Sequence, residues 1–201
     1  MKYFLDTEFY EKPGSIDLIS IGMVDEDENS LYLLNRDCNL KAIWKENEWL
    51  KENVLAPIYQ DFIHGDERNQ KPFSLNTMQY IFNLSGYDKK EMAAKVAEFV
   101  GYSWNNGEFT PNDAPVFVAP VFWGYFADYD WVVFCWIFGR MIDLPKGFPM
   151  YCKDLKQLMD EYGLSKEWKR ENNPDPKGEH NALVDAKWNL QLYKSIQKKL
   201  S

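Results

Sequence analysis

The chain has 201 residues and is 45% hydrophobic, 16% aromatic and 27% charged, which suits one folded domain and excludes a disordered or low-complexity chain. Its 23 basic and 31 acidic residues give a net charge of −8, which argues against a protein that coats duplex DNA through a basic face. No apolar run reaches the ~18 residues of a membrane-spanning helix. Asp6 and Glu8 fall inside any would-be apolar stretch of a secretory leader, so a cytoplasmic protein is expected.

In chain order, 2–9 is apolar and aromatic and reads as a strand ending in Asp6 and Glu8; Pro13-Gly14 marks the turn after it. The β-branched run 16–24 is a second strand. After the acidic turn at 25–29, residues 30–34 form a third, completing an antiparallel meander. The apolar spacing of Ile43, Trp44, Leu50 and Val54 predicts a helix over 41–54. The stretch 55–84 is irregular and polar and reads as a long connection or a small insertion. A helix over 88–100 carries the stripe Met92, Val96, Phe99 and Val100, with Asp88 as its cap. Residues 104–112 read as a loop, and 114–123 as a buried strand weakened by Pro120. A buried helix is expected over 129–141, a short strand over 148–152 and a short helix over 155–162. The basic stretch 168–178 reads as a mobile loop. Residues 181–200 form an amphipathic helix with Leu183, Val184, Trp188, Leu192, Tyr193 and Ile196 inward. Early strands followed by alternating helices and strands indicate an α/β fold with a mixed sheet.

Cys38, Cys135 and Cys152 lie far apart and form no CxxC pair, against a structural zinc site or a disulfide framework. Acids, by contrast, recur in three informative settings. Asp6 and Glu8 are two apart on a strand and share a face. Two carboxylates that close repel unless neutralised, and a divalent cation is their natural partner. A solvated strand end is the plainer reading of that pair taken alone. Asp130 and Asp128 stand at the start of an apolar helix, where an acid serves as a cap, as a cation ligand, or as both. His180 precedes the last helix and Asp185 lies about a turn and a half further on. An imidazole among carboxylates takes up a proton near neutral pH. Trp123, Tyr125 and Trp131 read as core aromatics, and Cys135 and Cys152 as small buried hydrophobes.

The ordered set FLDTEF, then Tyr129-Asp130, then HNALVDA resembles the DEDDh group of 3′-to-5′ exonucleases, whose fold is ribonuclease H-like. Within that group it is most similar to the ribonuclease AS family, exoribonucleases described as preferring adenylate tails. The resemblance spans nearly the whole chain and implies a single ribonuclease H-like domain over 1–201: a mixed β-sheet flanked by α-helices. It implies that Asp6, Glu8, Asp130 and Asp185 are metal ligands and that His180 is the general base. In place of the His-Asn often found in the second motif, this chain has Trp123 to Asp130 without either residue, so Asp128 remains the alternative to Asp130.

The same resemblance implies two magnesium ions, with manganese as a substitute, acting on a scissile phosphate. It also implies single-stranded RNA as the partner rather than DNA, and a homodimer. A single strand needs stacking surface and positive charge. Phe9, next to Glu8, and the basic residues Lys169, Arg170 and Lys177, with Lys166 beside them, are the candidates for holding it. The competing readings are a DNA exonuclease with the same site and a catalytically silent nucleic-acid-binding module.

Overall fold

The computed structural model describes residues 1–64, 71–112 and 118–201. Strands β1 (Lys2–Lys12), β2 (Ser15–Asp25) and β3 (Ser30–Leu34) form the antiparallel meander. The turn into β3 is tied by Asp25, whose carboxylate accepts from the amides of Asp27 and Asn29. Strands β6 (Val121–Gly124) and β7 (Lys153–Asp154) add to the other side of β1 in parallel. The result is a five-stranded mixed sheet in the order β3-β2-β1-β6-β7, flanked by helices, which is the arrangement of a ribonuclease H-like fold.

Alternation along β1 sends neighbouring residues to opposite faces. Tyr3 and Leu5 pack with Met92 and Val96 of α5 (Lys89–Phe99) and with Val133 and Phe134 of α6 (Asp128–Phe138). Phe4 packs on the other face, against Ala186 and Leu190 of α9 (Ala182–Leu200) and Leu155 and Met159 of α7 (Leu155–Glu161). The α5 helix starts on a full capping box between Asp88 and Glu91. A third core lies beyond β3, where Ile43, Leu55, Ile58, Met78 and Phe82 meet Ile19 and Leu34.

Several expectations need correction. The helix expected over 41–54 breaks into α1 (Leu40–Glu46) and α2 (Glu48–Leu50), which runs through a π-helical turn, Lys51–Leu55, into α3 (Ala56–His64). The stretch 55–84, read as irregular, contains α3 and α4 (Leu75–Ser85), and its residues 65–70 lie outside the described residues. The loop expected over 104–112 is a hairpin of β4 (Tyr102–Asn105) and β5 (Glu108–Pro111). Its turn residues Asn106 and Gly107 have φ of 50° and 91°, the handedness that suits a two-residue hairpin turn. Of the strand expected over 114–123, residues 114–117 lie outside the described residues, and among the rest Val121–Gly124 form the strand. The strand expected over 148–152 is replaced by β7 at 153–154. The expected mobile loop at 168–178 begins instead as helix α8 (Lys166–Asn172), capped by the Ser165 hydroxyl, which accepts from Trp168 N. On α9, Leu183, Val184, Trp188 and Tyr193 are only partly buried, and the inner face is Ala182, Ala186, Asn189, Leu190, Leu192 and Ile196. Among the described residues no helix is long and apolar enough to cross a membrane.

Candidate active site

Asp6 and Glu8 lie in the middle of β1, not at its end, because β1 runs on to Lys12. Their setting is nonetheless a strand end, that of β6. Pairing with β6 stops at Phe4, opposite Trp123. Beyond it, two main-chain groups of β1 are taken by side chains. Leu5 O accepts from the Asn189 Nδ2 of α9 at 2.9 Å, and Thr7 N donates to Asp130 Oδ1 of α6 at 2.8 Å. Buried main-chain groups must find partners, so the open edge of β1 draws one polar side chain from the helix on each face.

Asp6 and Glu8 share the α9 face with Phe4. Opposite Asp6 on β2 stands Gly22. A Cβ there would lie 2.1 Å from the carbonyl carbon and oxygen of Ala182, so only glycine lets the first turn of α9 rest on the sheet. Asn181 caps that turn by accepting from Leu183 N and Val184 N, and His180 N donates to Asp185 Oδ2 at 2.9 Å. The outcome is a group of carboxylate oxygens from Asp6, Glu8 and Asp185 all within 4.8 Å of one another.

Asp130 adjoins this group from the α6 side. It is buried and also accepts from Thr7 Oγ1 at 2.6 Å. Asp128, the alternative, is exposed on the same helix, and the N-cap of α6 is neither acid but Ala127. The amide of Ala127 is satisfied by Asp154 Oδ2 at 2.8 Å.

The four acids repel one another in a poorly hydrated space. Burial, followed by the charges of Asp130, Glu8 and Asp185, holds the Asp6 carboxyl well above the usual carboxylate range. Burial and the charges of Asp185 and Asp130 push Glu8 up to about 8. Asp130 and Asp185 rise to about 6, again through burial. Hydrogen bonds from Thr7 restrain the first, and the amide of His180 restrains the second. Oxygen-only ligands with mutually raised proton affinities suit a hard divalent cation of the magnesium or manganese kind, which takes the place of the protons.

Two clefts meet at this cluster. One, of about 340 Å³, runs past Asp6, Glu8, Phe9, Trp49, Phe126 and His180. Phe9 sits edge-on to Tyr129, with centroids 5.9 Å apart. Phe126 is 64% exposed and has a left-handed backbone, φ 56°, where the chain turns from β6 into α6. The other cleft, of about 280 Å³, contains Lys169, Asp175, His180 and Asp185. Lys169 is buried, bonded to Asp175 Oδ1 at 2.8 Å, and lies 4.7 Å and 5.3 Å from the ring centres of Trp188 and Tyr125. Arg170 and Lys177 are exposed and line neither cleft.

The structure therefore gathers Asp6, Glu8, Asp130, Asp185, His180, Phe9 and Lys169 around one space and leaves Arg170 and Lys177 outside it. Trp123 and Trp131 are core as expected, but Tyr125 lines both clefts. Sequence reasoning passed over Thr7, Trp49 and Asn189. Only Asn189 left a trace in the chain, as a polar residue four places after Asp185 on the buried face of a helix.

No protein-family model matches the chain. It is 26% identical over 200 residues to two proteins from strains of Mycobacterium tuberculosis, each named 3′-5′ exoribonuclease; the alignment covers 98% of this chain and 93% of theirs.

Proposed function

We propose that the protein is a divalent-cation-dependent 3′-5′ exoribonuclease that hydrolyses single-stranded RNA. The observation that carries this reading is the carboxylate cluster of Asp6, Glu8 and Asp185 with His180 at its rim. The full-length likeness to proteins named 3′-5′ exoribonuclease supports it. Asp6, Glu8, Asp185 and Asp130 hold the cations. Magnesium ions, two in the proposed arrangement and replaceable by manganese, supply charge neutralisation at the phosphodiester and acidify a water. The chain's own residues do the rest. His180 accepts the proton of the attacking water. As the phosphorus–oxygen bond to the penultimate 3′ oxygen breaks, the last nucleotide leaves as a 5′-monophosphate. Phe9 offers an aromatic face beside Glu8 for the terminal nucleoside. Lys169 supplies positive charge in the cleft that also holds Asp6 and Asp185.

The chain is proposed to act as a single domain over 1–201, as a homodimer, and with a preference for 3′ adenylate tails, all by resemblance to the ribonuclease AS family. Sedimentation and a comparison of adenylate with mixed-sequence tails test the last two.

A 5′-labelled RNA oligomer and its DNA counterpart, incubated with magnesium or with chelator, test the central reading. The expected result is an RNA ladder shortening from the 3′ end, abolished by chelator and by Asp6→Asn. His180→Ala should lower the rate on the order of 10²–10⁴-fold, as loss of a general base does, while calorimetry still detects cation binding. Wild-type activity in Asp6→Asn overturns the site. Faster cleavage of the DNA overturns the substrate class.

A further inference from the structure

We propose that Trp49 is a positioning residue that holds the imidazole of His180 in working orientation, an inference that rests on His180 being the general base. The backbone of His180 is firmly set. It has φ 66°, the left-handed region that residues other than glycine rarely adopt, and its amide donates to Asp185. The ring is not held in the same way. Its side chain is 40% exposed, and among the described residues the nearest carboxylate oxygen to Nε2, on Glu179, is 4.0 Å away, beyond hydrogen-bond reach. A histidine base is commonly aimed by a hydrogen bond from its second nitrogen to a carboxylate or carbonyl. Here the contact on the ring is aromatic. Trp49 stands edge-to-face against it, with centroids 4.7 Å apart and planes at 73°, a favourable geometry for ring pairs.

The local sequence explains why an indole is presented there. Asn47 interrupts the helical run with φ −137° and ψ 88°, and its Oδ1 accepts from Leu50 N at 2.9 Å to start α2. The restart turns Leu50 into the core and leaves Trp49 51% exposed over the cleft. Asn53 Nδ2 donates to Trp49 O at 2.9 Å and steadies the turn. A second tie lies one residue beyond the histidine, where Asn181 Nδ2 approaches Asp61 Oδ2 of α3 at 3.5 Å. The α2–α3 segment thus touches residues 180 and 181 at two points and acts as a brace on the base.

The test compares wild type, Trp49→Phe, Trp49→Ala, His180→Ala and the double variant Trp49→Ala/His180→Ala on one RNA oligomer. Misplacing a reacting group by about 1 Å costs up to ~10²-fold. Trp49→Ala should therefore lower kcat roughly ten- to hundred-fold with little change in KM. Trp49→Phe should restore most of the rate, and adding Trp49→Ala to His180→Ala should cost nothing further. The imidazole proton resonances of His180 should shift in Trp49→Ala while its circular dichroism matches wild type. A raised KM with unchanged kcat overturns the proposal and makes Trp49 a platform for an RNA base. An equal loss in the His180→Ala background also overturns it. Full activity of His180→Ala instead removes the base assignment itself, and is seen without reference to Trp49.

Discussion

Thr7 stands between Asp6 and Glu8 on β1 and ties Asp130 to the strand. It gives Asp130 two hydrogen bonds on one oxygen, from its amide and its hydroxyl, and these hold back the rise that burial imposes on that carboxyl. Thr7→Val keeps the shape and removes the hydroxyl. Hydrogen bonds to charged groups are worth about 1.5–3 kcal/mol, so the ionised form of Asp130 is lost to a comparable degree. Manganese affinity measured by calorimetry should fall roughly tenfold; unchanged affinity would show that Asp130 takes no part in cation binding. Asp128→Ala, on the exposed side of the same helix, should leave the affinity unaltered. Chain order alone could not separate the two acids. They are two apart on a helix, about 200° around its axis, and which side meets β1 depends on how α6 docks.

At the scale of elements, the site exists because β6 is short. Had it continued beside β1, Leu5 O and Thr7 N would bond to a strand, and neither Asn189 nor Asp130 would be drawn in. The second requirement is close contact between β2 and the start of α9 at Gly22. In Gly22→Ala the new methyl group meets the main chain of Ala182 and Leu183, which cannot swing aside as a side chain can. Overpacking of this kind costs about 1–3 kcal/mol or somewhat more. The urea midpoint should drop accordingly, and cation affinity should fall with it because Asp185 is carried away from Asp6. A variant of normal stability and affinity would refute this docking. The meander, the capped α5 and the last helix were legible because short-range patterns specify them. Helix α8 was obscured by its Asn- and Pro-containing tail, and the 102–111 hairpin was legible in Asn106-Gly107 but read as a loop. The break at Asn47 was hidden because the apolar spacing on either side of it continues as though the helix were whole.

For the whole molecule, the acidic cluster should couple folding to pH and, under the proposed function, to divalent cations. The carboxyls of Asp6, Glu8, Asp130 and Asp185 all lie above their ordinary values in the folded chain. Between the unfolded values near 4 and the folded ones, up to about 8 for Glu8, the native state binds more protons than the unfolded state. Stability of the chelated protein therefore falls as pH rises through that window. A cation that binds only the folded site offsets the loss. Melting temperatures in chelator should be lower at pH 8.5 than at pH 5.5, and magnesium should raise the value more at the higher pH. A magnesium effect of equal size at both would contradict a cation bound by these four acids.

The sequence by itself determined the kinds of chemistry available. It showed paired acids on a strand, an acid entering an apolar helix, and a histidine and an acid about a turn and a half apart at the last helix, in an order that resembles one group of nucleases. It also determined the local elements whose signals lie within a few residues, such as the capping box at Asp88 and the meander of β1 to β3. Only the tertiary structure decided which of these residues meet. Asp6 and Asp185 are brought together by a glycine on a third element, and Asp130 rather than Asp128 meets β1 because of the face α6 turns to it. Lys169 lines the cleft and Arg170 does not, because the Lys169 side chain is the one that α8 buries against Tyr125 and Trp188. Such choices depend on which surfaces dock across long sequence separations, and the energy of docking is spread over many contacts that no short run of residues encodes.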